Sequence, residues 1–488
     1  MTRDLAALTP PRGREIALVH RANVYSGDAL NAAADALADE LSRSGVRAGC
    51  RVALRLGNCP EFVVSLLAAM RLGASSVLLG PYLSDTEVAD LVARTRAVAV
   101  LAPLESSLSA IGCSLVGGPV TLSHRAGVVL IWRTAYDEPV AGPDELTVQF
   151  TSGVSGRPKL IARTTQNLQS ELENCAPVLG VVDGPTVCPS PVCHAYGLVD
   201  GLLLPLFIGH PCILVDSFVP NVLIDTIRDC RAAVLVGVPV MYQELSRAYG
   251  ADPRSLTSLR LALSTGSALS SDAFEAFFAR YAVRISQQYG SSETGVISVN
   301  LSGTDPLAVG RPIPGCRVDI VDERGGGVDP GESGEITVHT AAAANQYLDD
   351  PALSAMKFRD GRYFTGDLGR LSSSGELTVV GRRTSFINVA GLKVDPIEVE
   401  QVLESCDAVV ESAVVAHQNG AQGETVQAFV VTRRPISIRD LQKFCRRRLA
   451  SYKVPTRVTF LTSLPRSATG KVMRSSLTAA SHADAEER

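Results

Sequence analysis

Short apolar strands alternate with amphipathic helices through the first three hundred residues, and this order constrains the fold more than any other feature of the chain. Residues 28–44 place apolar side chains at intervals of three and four, which is the period of a helix that buries one face. Residues 51–56 and 75–79 have the alternation and apolar content of strands, and residues 61–71 are again helical in period. This order favours doubly wound parallel sheets.

The same pattern continues along the chain and then changes twice. Further strands are predicted at 129–132, 146–150, 212–215 and 233–236, and further helices at 219–229 and 271–280. From about residue 310, alternating pieces broken by Gly and Asp predict antiparallel hairpins. From residue 383 a compact pattern follows, with helices at 397–405 and 438–449 and strands at 413–416 and 426–431. We expect an α/β chain: an N-terminal domain 1–382 of doubly wound sheets with a β-barrel-like subdomain at about 310–382, and a small α+β C-terminal domain 383–488.

The composition is that of an ordinary globular protein. Of 488 residues, 46% are hydrophobic and 20% charged, and the net charge of −4 gives no overall field that would attract nucleic acid or an acidic membrane. The first residues carry prolines and charges, and no apolar run of about 18 residues occurs, so we expect a cytoplasmic protein without membrane insertion. Eleven scattered cysteines lack a CxxC pair. Cys188, Cys193 and His194 raise the question of a zinc site, but no further ligands are visible, which favours buried, reduced thiols.

A glycine-rich segment, FTSGVSGRPK at 150–159, follows a predicted strand and is suited to bind phosphate. The chain has forty Arg but six Lys, so Lys159 in this segment indicates a need for a compact ammonium group. The segment lacks the GxxxxGK[ST] pattern of P-loops, and a plain surface turn stays an alternative. The predicted phosphate contacts are Thr151, Ser152, Gly153, Ser155, Gly156 and Lys159.

Five further segments, interpreted as loops, follow in a fixed order. They are STGSALS at 264–270, QQYGSSETG at 287–295, YFTGDL at 363–368, GRRTSFINVAGLKVDPIEVE at 381–400 and PRSATGKVMR at 465–474. With the phosphate segment, they resemble the adenylate-forming superfamily of acyl-CoA and aryl-CoA synthetases, adenylation domains of peptide synthetases and luciferase. The likeness covers nearly the whole chain. It implies an AMP-binding N-terminal domain, a mobile C-terminal domain, and an enzyme that uses ATP to activate a carboxylic acid.

The resemblance implies a role for each motif residue. Tyr289 would stack on adenine, Ser292 would donate to the α-phosphate, and Glu293 would bind Mg²⁺. Lys471 would bridge the carboxylate and the α-phosphate during acyl-adenylate formation, and an exposed loop lysine is the alternative. The remaining implied ATP or AMP contacts are Ser267, Ala268, Gly290, and the ribose ligands Asp367 and Arg382; an ordinary turn residue is the alternative for Asp367. The implied catalytic residues are Lys471, Glu293 and His194.

The acid pocket predicted from the resemblance does not favour an α-amino acid. His194 in PVCHAYGL would gate the carboxylate site, and Ala195 occupies the position at which peptide synthetases hold the substrate ammonium with Asp. Asp200 follows in the same segment and either serves an amine farther from the carboxylate or is solvated or faces its helix. The predicted pocket residues are His194, Ala195, Val238, Tyr242, Gly266 and Gln288.

For the second half-reaction, the resemblance implies acyl transfer to a thiol. Gly391 and Lys393 would border a tunnel for the pantetheine arm of CoA, and a basic helix at 443–453 either contacts CoA phosphates or an acidic carrier protein, or is a solvated face. The chain departs from the family pattern at the hinge, where Thr384 replaces Asp or Lys, and at Val154, Leu160 and Thr165 around the phosphate segment. Threonine is stiffer, so the domain movement is expected to be slower or differently balanced.

These observations predict an ATP-dependent acid–thiol ligase that uses ATP, Mg²⁺ and CoA. Three alternatives stay open: loading of a non-α-amino acid onto the phosphopantetheine of a carrier protein, as free-standing enzymes of natural-product biosynthesis do; activation of an unusual acid without thiolation, or transfer to an amine; and a non-catalytic nucleotide-binding relative. The retention of Glu293, Asp367, Arg382 and Lys471 argues against the last.

Overall fold

The structure is a computed structural model of the chain, and its described residues form two compact units. The described residues are 8–10, 13–106, 108, 112–115, 120–121, 128–151, 158–250, 252–267, 269–303, 308–382, 387–389, 392–418, 424–449, 451–467, 470, 472–474 and 476–477. The first unit contains the described residues up to Val318 together with Val338–Tyr363. The second contains Asp319–Thr337 and the described residues from Phe364 onward.

Two sheets and the helices around them build the first unit. The strands are β1 (Leu18–His20), β2 (Asn23–Tyr25), β3 (Arg51–Arg55), β4 (Ser75–Leu79), β5 (Ala99–Pro103), β6 (Ser114–Leu115), β7 (Val120–Thr121), β8 (Val128–Arg133), β9 (Glu145–Thr151), β10 (Lys159–Thr164), β11 (Thr186–Cys188), β12 (Cys212–Leu214), β13 (Val234–Gly237), β14 (Leu261–Ser264), β15 (Ile285–Ser291), β16 (Gly295–Asn300) and β17 (Ala308–Pro312). The helices are α1 (Gly27–Arg43), α2 (Pro60–Arg71), α3 (Asp85–Thr95), α4 (Thr165–Leu179), α5 (Ala195–Leu198), a π-helix (Val199–Leu203), α6 (Leu204–Ile208), α7 (Pro220–Cys230), α8 (Pro239–Arg247), a 3₁₀ turn (Pro253–Leu256) and α9 (Ser271–Tyr281).

The two sheets of this unit share one large core. The first sheet has the order β10-β9-β4-β3-β5-β8-β6, and β7 also pairs with β8. In the second sheet, the strands of this unit have the order β17-β16-β15-β14-β13-β11-β12-β1-β2. Its strands from β15 to β1 run parallel. Helices α1, α2 and α4 contribute side chains to the core between the sheets.

Successive residues of a strand face opposite cores, as the twofold period of a strand requires. In β4, Leu78 faces the shared core and Val77 faces the core beneath α3. In β11, Cys188 faces the shared core and Val187 faces the core beneath α7, α8 and α9. Both sheets are therefore covered on both faces, which explains why their strands read as continuous apolar runs.

The second unit contains smaller, mostly antiparallel sheets. Its elements are β18 (Arg317–Val321), β19 (Gly334–His339), β21 (Arg362–Leu371), β22 (Leu377–Arg382), β23 (Ile387–Val389), β24 (Leu392–Val394), α11 (Pro396–Glu404), β25 (Val409–Gln418), β26 (Glu424–Thr432), α12 (Ile438–Arg446), a 3₁₀ turn (Ser451–Lys453) and β27 (Arg457–Leu461), while α10 (Pro351–Lys357) and β20 (Phe358–Arg359) belong to the first unit. Strands β18, β19, β21 and β22 are neighbours in that order, β23 pairs with β24, and β25, β26 and β27 form a third sheet. Strands β18 and β21 each begin in the first unit and end in the second.

The predicted fold class is confirmed: the chain is mixed α/β, with a large sheet domain and a small C-terminal domain. The boundary at residue 382 stays a prediction. Helices α3 and α4 were not predicted, although both have capping boxes, Ser84 with Glu87 and Thr164 with Asn167. In the described ranges, no helix combines the length and the apolar content that a membrane crossing needs. All eleven cysteines are free.

Two local predictions are wrong. The helix predicted at 438–449 ends at Arg446, because the Arg448 amide N–H donates to the Cys445 carbonyl, three residues back, and so departs from the four-residue spacing of an α-helix. Leu449 is nevertheless buried, which extends the apparent helical period. The segments at 287–295 and 363–368 were interpreted as loops, but most of their residues lie in β15, β16 and β21, where their backbone groups pair in the sheet.

Candidate active site

The QQYGSSETG segment forms two antiparallel strands joined by a tight turn. Tyr289 pairs with Ser298, and a β-bulge follows between Tyr289 and Gly290. In the turn, the Thr294 amide N–H donates to Ser291 Oγ over 3.2 Å. The bulge and the turn leave Tyr289 and Ser292 half-buried at the end of the hairpin, so both side chains reach the protein surface.

Gly295 is required by the backbone at this turn. Its φ is +70°, in the left-handed region, and a Cβ at this position would overlap the Glu171 carboxylate. A larger residue would therefore need both a strained backbone and a displaced Glu171.

A buried ion pair supports the same turn from behind. Arg163 of β10 is fully buried, and its Nη2 donates to Glu171 Oε2 of α4 over 2.7 Å. Arg163 Nη1 also donates to the Ser292 carbonyl over 3.2 Å, and the Val296 amide donates to Glu171 Oε1 over 3.1 Å. Each charge has its opposite charge and a backbone partner, as buried charges need. The pair therefore fixes both sides of the turn that carries Glu293.

Glu293 is buried and bonded to a tyrosine that the sequence analysis did not identify. Tyr347 is 1% exposed, and its hydroxyl donates to Glu293 Oε1 over 2.8 Å. The Tyr363 hydroxyl lies 3.3 Å from that of Tyr347. Burial, with a smaller effect of the Glu293 charge, raises the pKa of Tyr363, so this phenol stays protonated at neutral pH.

Lys159 lies on the ring face of the same tyrosine. Its Nζ is 5.2 Å from the centroid of the Tyr347 ring, within the range of a cation–π contact. Thr151 and Lys159 are paired across β9 and β10, so they stand at the two ends of the phosphate segment. The Pro158 carbonyl accepts from Arg94 Nη2 over 2.6 Å, which fixes the approach to Lys159. Tyr347 thus holds a cation on its face and a carboxylate at its hydroxyl.

The Glu293 carboxylate fits the Mg²⁺ that the resemblance implies. Mg²⁺ in nucleotide sites is held by one or two carboxylates together with phosphate oxygens and water. Glu293 offers one hard carboxylate, and the tyrosine hydroxyl bonded to it fixes its orientation. When bound, Mg²⁺ would neutralise charge on the phosphates of ATP.

His194 immediately precedes α5 as its N-cap residue and lies among aromatic rings. The Tyr82 hydroxyl is hydrogen-bonded to His194 Nε2, the Tyr82 ring stacks at 6.1 Å and the Phe150 ring meets it edge-on at 6.2 Å. Burial lowers the pKa of His194 to about 4, so the imidazole is neutral at pH 7. The predicted gate is therefore a neutral aromatic group held by Tyr82, and Ala195 follows as the first residue of α5.

Several predicted acid-pocket residues meet at the carboxyl ends of the parallel strands. Val238 follows β13, Gly266 follows β14, and a Cβ on Gly266 would touch Val238 Cγ1 at 4.0 Å. Thr265 Oγ1 donates to the Gln288 carbonyl over 2.7 Å and so joins β14 to β15. Ligands of open α/β sheets bind at this edge. Tyr242 instead packs in the core against Phe277, so its place in the acid pocket stays a prediction without support from its contacts.

In the second unit, Asp367 and Arg382 are opposite each other. They pair across β21 and β22, and Asp367 is 7% exposed. The Asp367 amide donates to Thr365 Oγ1 over 2.9 Å, and the Gly366 amide donates to Glu335 Oε1 over 3.0 Å. The backbone pairing brings the two predicted ribose ligands to adjacent strands. Lys393 lies in β24, opposite Asn388.

The remaining predicted residues fall into two sets. Ser267 is exposed in the turn after β14. Eight residues lie outside the described residues, and their roles stay predictions: Ser152, Gly153, Ser155, Gly156, Ala268, Thr384, Gly391 and Lys471.

Comparison with known proteins assigns the chain to a family. The profile described as AMP-binding enzyme matches residues 7–348, and that described as AMP-binding enzyme C-terminal domain matches residues 398–471. The chain belongs to the AMP-binding enzyme family. The resemblance inferred from the motifs is confirmed.

Relatives of this family align with nearly the whole chain. The 2-succinylbenzoate–CoA ligase of Bacillus velezensis is 31% identical over 96% of this chain and 95% of its own, and the medium-chain fatty-acid–CoA ligase of Escherichia coli is 28% identical over 92% and 84%. The o-succinylbenzoate CoA synthetase of Bacillus subtilis, solved with an acyl-adenylate intermediate, superposes with a TM-score of 0.82 at 26% identity over 96% of both chains.

The basic segment at 443–453 is not one helix in this AMP-binding enzyme. Helix α12 ends at Arg446, and Lys453 lies in a 3₁₀ turn, where its Nζ is 2.6 Å from Glu398 Oε2. Arg448 lies over the Phe444 ring at 3.8 Å. The predicted basic helix is wrong, because the two ends of the segment belong to different elements and Lys453 is already paired.

Proposed function

We propose that this chain is an ATP-dependent ligase that joins a small carboxylic acid to coenzyme A through an acyl-adenylate and releases pyrophosphate. The observation that carries the proposal is the cluster of Lys159, Tyr347 and Glu293. It brings the last residue of the phosphate segment and the acidic residue of the QQYGSSETG motif to one buried tyrosine. A cation and a hard carboxylate that both contact one tyrosine suit the binding of ATP together with Mg²⁺. Family membership and the named CoA ligases support the same reaction.

In the first step, a carboxylate oxygen of the acid attacks the α-phosphorus of ATP. The bond from this phosphorus to the bridging oxygen of pyrophosphate breaks, and pyrophosphate leaves. Two anions approach each other, so the barrier is lowered by fixed cations and donors at the reacting oxygens. We assign Lys159 to the leaving phosphates, Ser292 to the α-phosphate, and Lys471 to the oxygens shared by the acid and the α-phosphate.

His194 has a positioning role in this proposal. Because its pKa is about 4, it attracts the substrate carboxylate as a dipole and not as a full charge. A cationic imidazole would hold the carboxylate in an ion pair and lower its reactivity toward phosphorus. A neutral ring therefore leaves the carboxylate oxygen reactive.

In the second step, the CoA sulfur attacks the acyl carbon. The bond between the acyl carbon and the AMP oxygen breaks, AMP leaves, and the thiol proton passes to solvent. We assign Gly391 and Lys393 to the pantetheine path, and Thr384 to the hinge between the two steps. Because the named relatives are CoA ligases, CoA is the expected acceptor. Phosphopantetheine on a carrier protein has the same thiol as CoA, but its phosphate end is attached to a protein and not to a nucleotide.

The test is acid-dependent exchange of pyrophosphate into ATP, followed by thiol consumption when CoA is added. Lys471→Ala should lower exchange by about 100-fold or more, as the loss of one preorganised donor to a developing charge does. The matched control is Lys443→Ala in α12, whose side chain is exposed. Equal activity of the two variants would reject the role of Lys471. Exchange with no loss of CoA thiol would reject CoA as the acceptor.

A further inference from the structure

A buried carboxyl group near the predicted acid pocket has an incomplete set of partners. Asp200 is 3% exposed, and its Oδ2 accepts from Gln288 Nε2 over 3.0 Å. Among the described residues, Asp200 Oδ1 and Gln288 Oε1 are buried and have no hydrogen-bond partner. The expectation that Asp200 is solvated is therefore wrong. A buried polar atom without a protein partner is costly, so the pair indicates a binding role for these two side chains.

The backbone around Asp200 is unusual in a way that supports a functional role. Asp200 lies in the π-helix Val199–Leu203, inserted between α5 and α6. π-Helical turns are rare and are frequent at functional sites. The next residue, Gly201, lies so close to Cys188 of β11 that a Cβ would overlap its Sγ. This close packing fixes the inserted turn on the sheet and with it the position of Asp200.

When Asp200 is ionised, both unpaired oxygens are acceptors, so the partner that completes them is a hydrogen-bond donor. A hydroxyl has one hydrogen to donate, whereas an ammonium has three and also neutralises a carboxylate. In the described part of the chain, no lysine or arginine is bonded to Asp200. The nearby charge of Glu171 is itself negative, and it is paired with Arg163.

We propose that Asp200 and Gln288 bind the ammonium group of the acid substrate, and that this substrate is an amino acid whose amine lies beyond the α-carbon. The proposal rests on the proposed function, since it assigns the acid that is activated. Asp200 follows the gate residue His194 by six residues and lies in the π-helix after α5, more than one helical turn beyond the gate. An α-ammonium is one carbon from the carboxyl group, so a carboxylate held at His194 would keep it near Ala195, whereas a more distant amine can extend toward Asp200. Ala195, at the start of α5, offers no charge to an α-ammonium.

Protonation explains how a buried Asp200 is tolerated in the folded protein. Burial raises the pKa of Asp200 to about 8, and the Glu171 charge adds to the effect, so the carboxyl is mostly protonated at pH 7 without ligand. The other titratable groups around it carry no compensating charge: burial raises the pKa of Cys175 and Tyr196 and lowers that of His210. An arriving ammonium would ionise Asp200 and release its proton.

A structural explanation competes with this one. A cavity of about 10 Å³, lined in part by Asp200, Thr186 and His210, has room for roughly one water molecule. A water there could complete Asp200 Oδ1 without any substrate. In that case Asp200→Asn would change the activation of every acid to the same extent.

The experiment compares pyrophosphate exchange for matched acids. The probes are 3-aminopropanoate, 4-aminobutanoate and 5-aminopentanoate, their amine-free counterparts propanoate, butanoate and pentanoate, 2-aminobutanoate, and medium-chain and aryl acids. The proposal expects one of the first three to exceed its amine-free counterpart at least tenfold in kcat/KM. Asp200→Asn should lower kcat/KM for that amino acid by about 100-fold, because removing one partner strands a buried charge, and should change the amine-free acid less than threefold. Asp39→Asn, an exposed position on α1, is the matched control.

A second readout detects the proton. Calorimetric titration of the preferred amino acid, with α,β-methylene-ATP present and in buffers of different ionisation enthalpy, should show release of about one proton at pH 7 in the wild type and none in Asp200→Asn. Preference for amine-free acids, or equal losses for all acids in Asp200→Asn, would overturn the inference and leave the ligase function standing. If none of the acids in the panel supports pyrophosphate exchange, the ligase function itself is rejected.

Discussion

Replacing Asp200 by Asn should change how the stability of the first unit depends on pH. The free energy of unfolding of the variant, relative to that of the wild type, should increase from acidic to neutral pH. Asn has nearly the same size and can still accept the hydrogen bond from Gln288 Nε2, so packing changes little. What the substitution removes is a titrating carboxyl that folding places in a buried site. The prediction therefore concerns the pH dependence of the free energy of unfolding and not its absolute value.

The magnitude follows from the two pKa values of this carboxyl. In the unfolded chain Asp ionises at about 3.9, whereas in the folded protein burial raises the pKa of Asp200 to about 8. Between these values the folded state holds one more proton than the unfolded state, so stability falls as pH rises, by about 1.4 kcal/mol per pH unit. From pH 5 to pH 7 the wild type should lose about 2.7 kcal/mol that the variant keeps.

The chain provides a built-in probe for the measurement. Its single tryptophan, Trp132, is buried in β8 of the first unit. Urea unfolding at pH 5, 6 and 7, monitored by tryptophan fluorescence, gives the free energy of unfolding of each protein. The value for Asp200→Asn minus the value for wild type should increase steadily with pH. Asp39→Asn should show no such trend. A difference that stays constant across this pH range would refute the burial of an ionisable Asp200.

Three further predictions test the remaining contacts of the site and of the basic segment. Tyr347→Phe removes the hydroxyl bonded to Glu293, so the Mg²⁺ concentration that gives half-maximal pyrophosphate exchange should rise by about tenfold, as when a group that orients a metal ligand is lost. An unchanged Mg²⁺ concentration would contradict the role of Tyr347 in orienting Glu293. Arg163→Met leaves Glu171 buried without its cation and should cost about 3–5 kcal/mol of stability in urea unfolding; a cost under 1 kcal/mol would show that the ion pair does not brace the turn. Lys453→Ala should leave the KM for CoA within twofold of wild type, because this lysine is paired with Glu398, and a large rise would restore the segment as a CoA contact.

Much of the fold could be predicted because its signals are local. The strand predicted at 75–79 is observed with the same bounds, because a run of five buried residues between turn signals has no competing pattern. Helix α4 was missed because its apolar residues are diluted by Gln, Asn and Glu, although Leu168, Leu172, Cys175 and Leu179 keep the helical interval. The Thr164–Asn167 capping box was the available signal.

The candidate site was predictable only where a motif marks it. Glu293 stands in a recognisable motif, but its partner Tyr347 lies 54 residues later in a segment without one. Tyr82 reaches His194 across 112 residues, and nothing local to Gly80 or Pro81 indicates that contact. The burial of Asp200 depends on the packing of a π-helix against β11, which has no period that a sequence pattern could reveal. Long-range side-chain partners are set by tertiary packing and not by local preference.

The most direct measurement is mass spectrometry of the enzyme mixed with ATP, Mg²⁺ and the acid that gives the highest exchange, first without and then with CoA. We predict an enzyme-bound acyl-adenylate before CoA is added, and its conversion to acyl-CoA and AMP afterwards. Formation of ADP, or of acyl-CoA with no adenylate at any time, would contradict it.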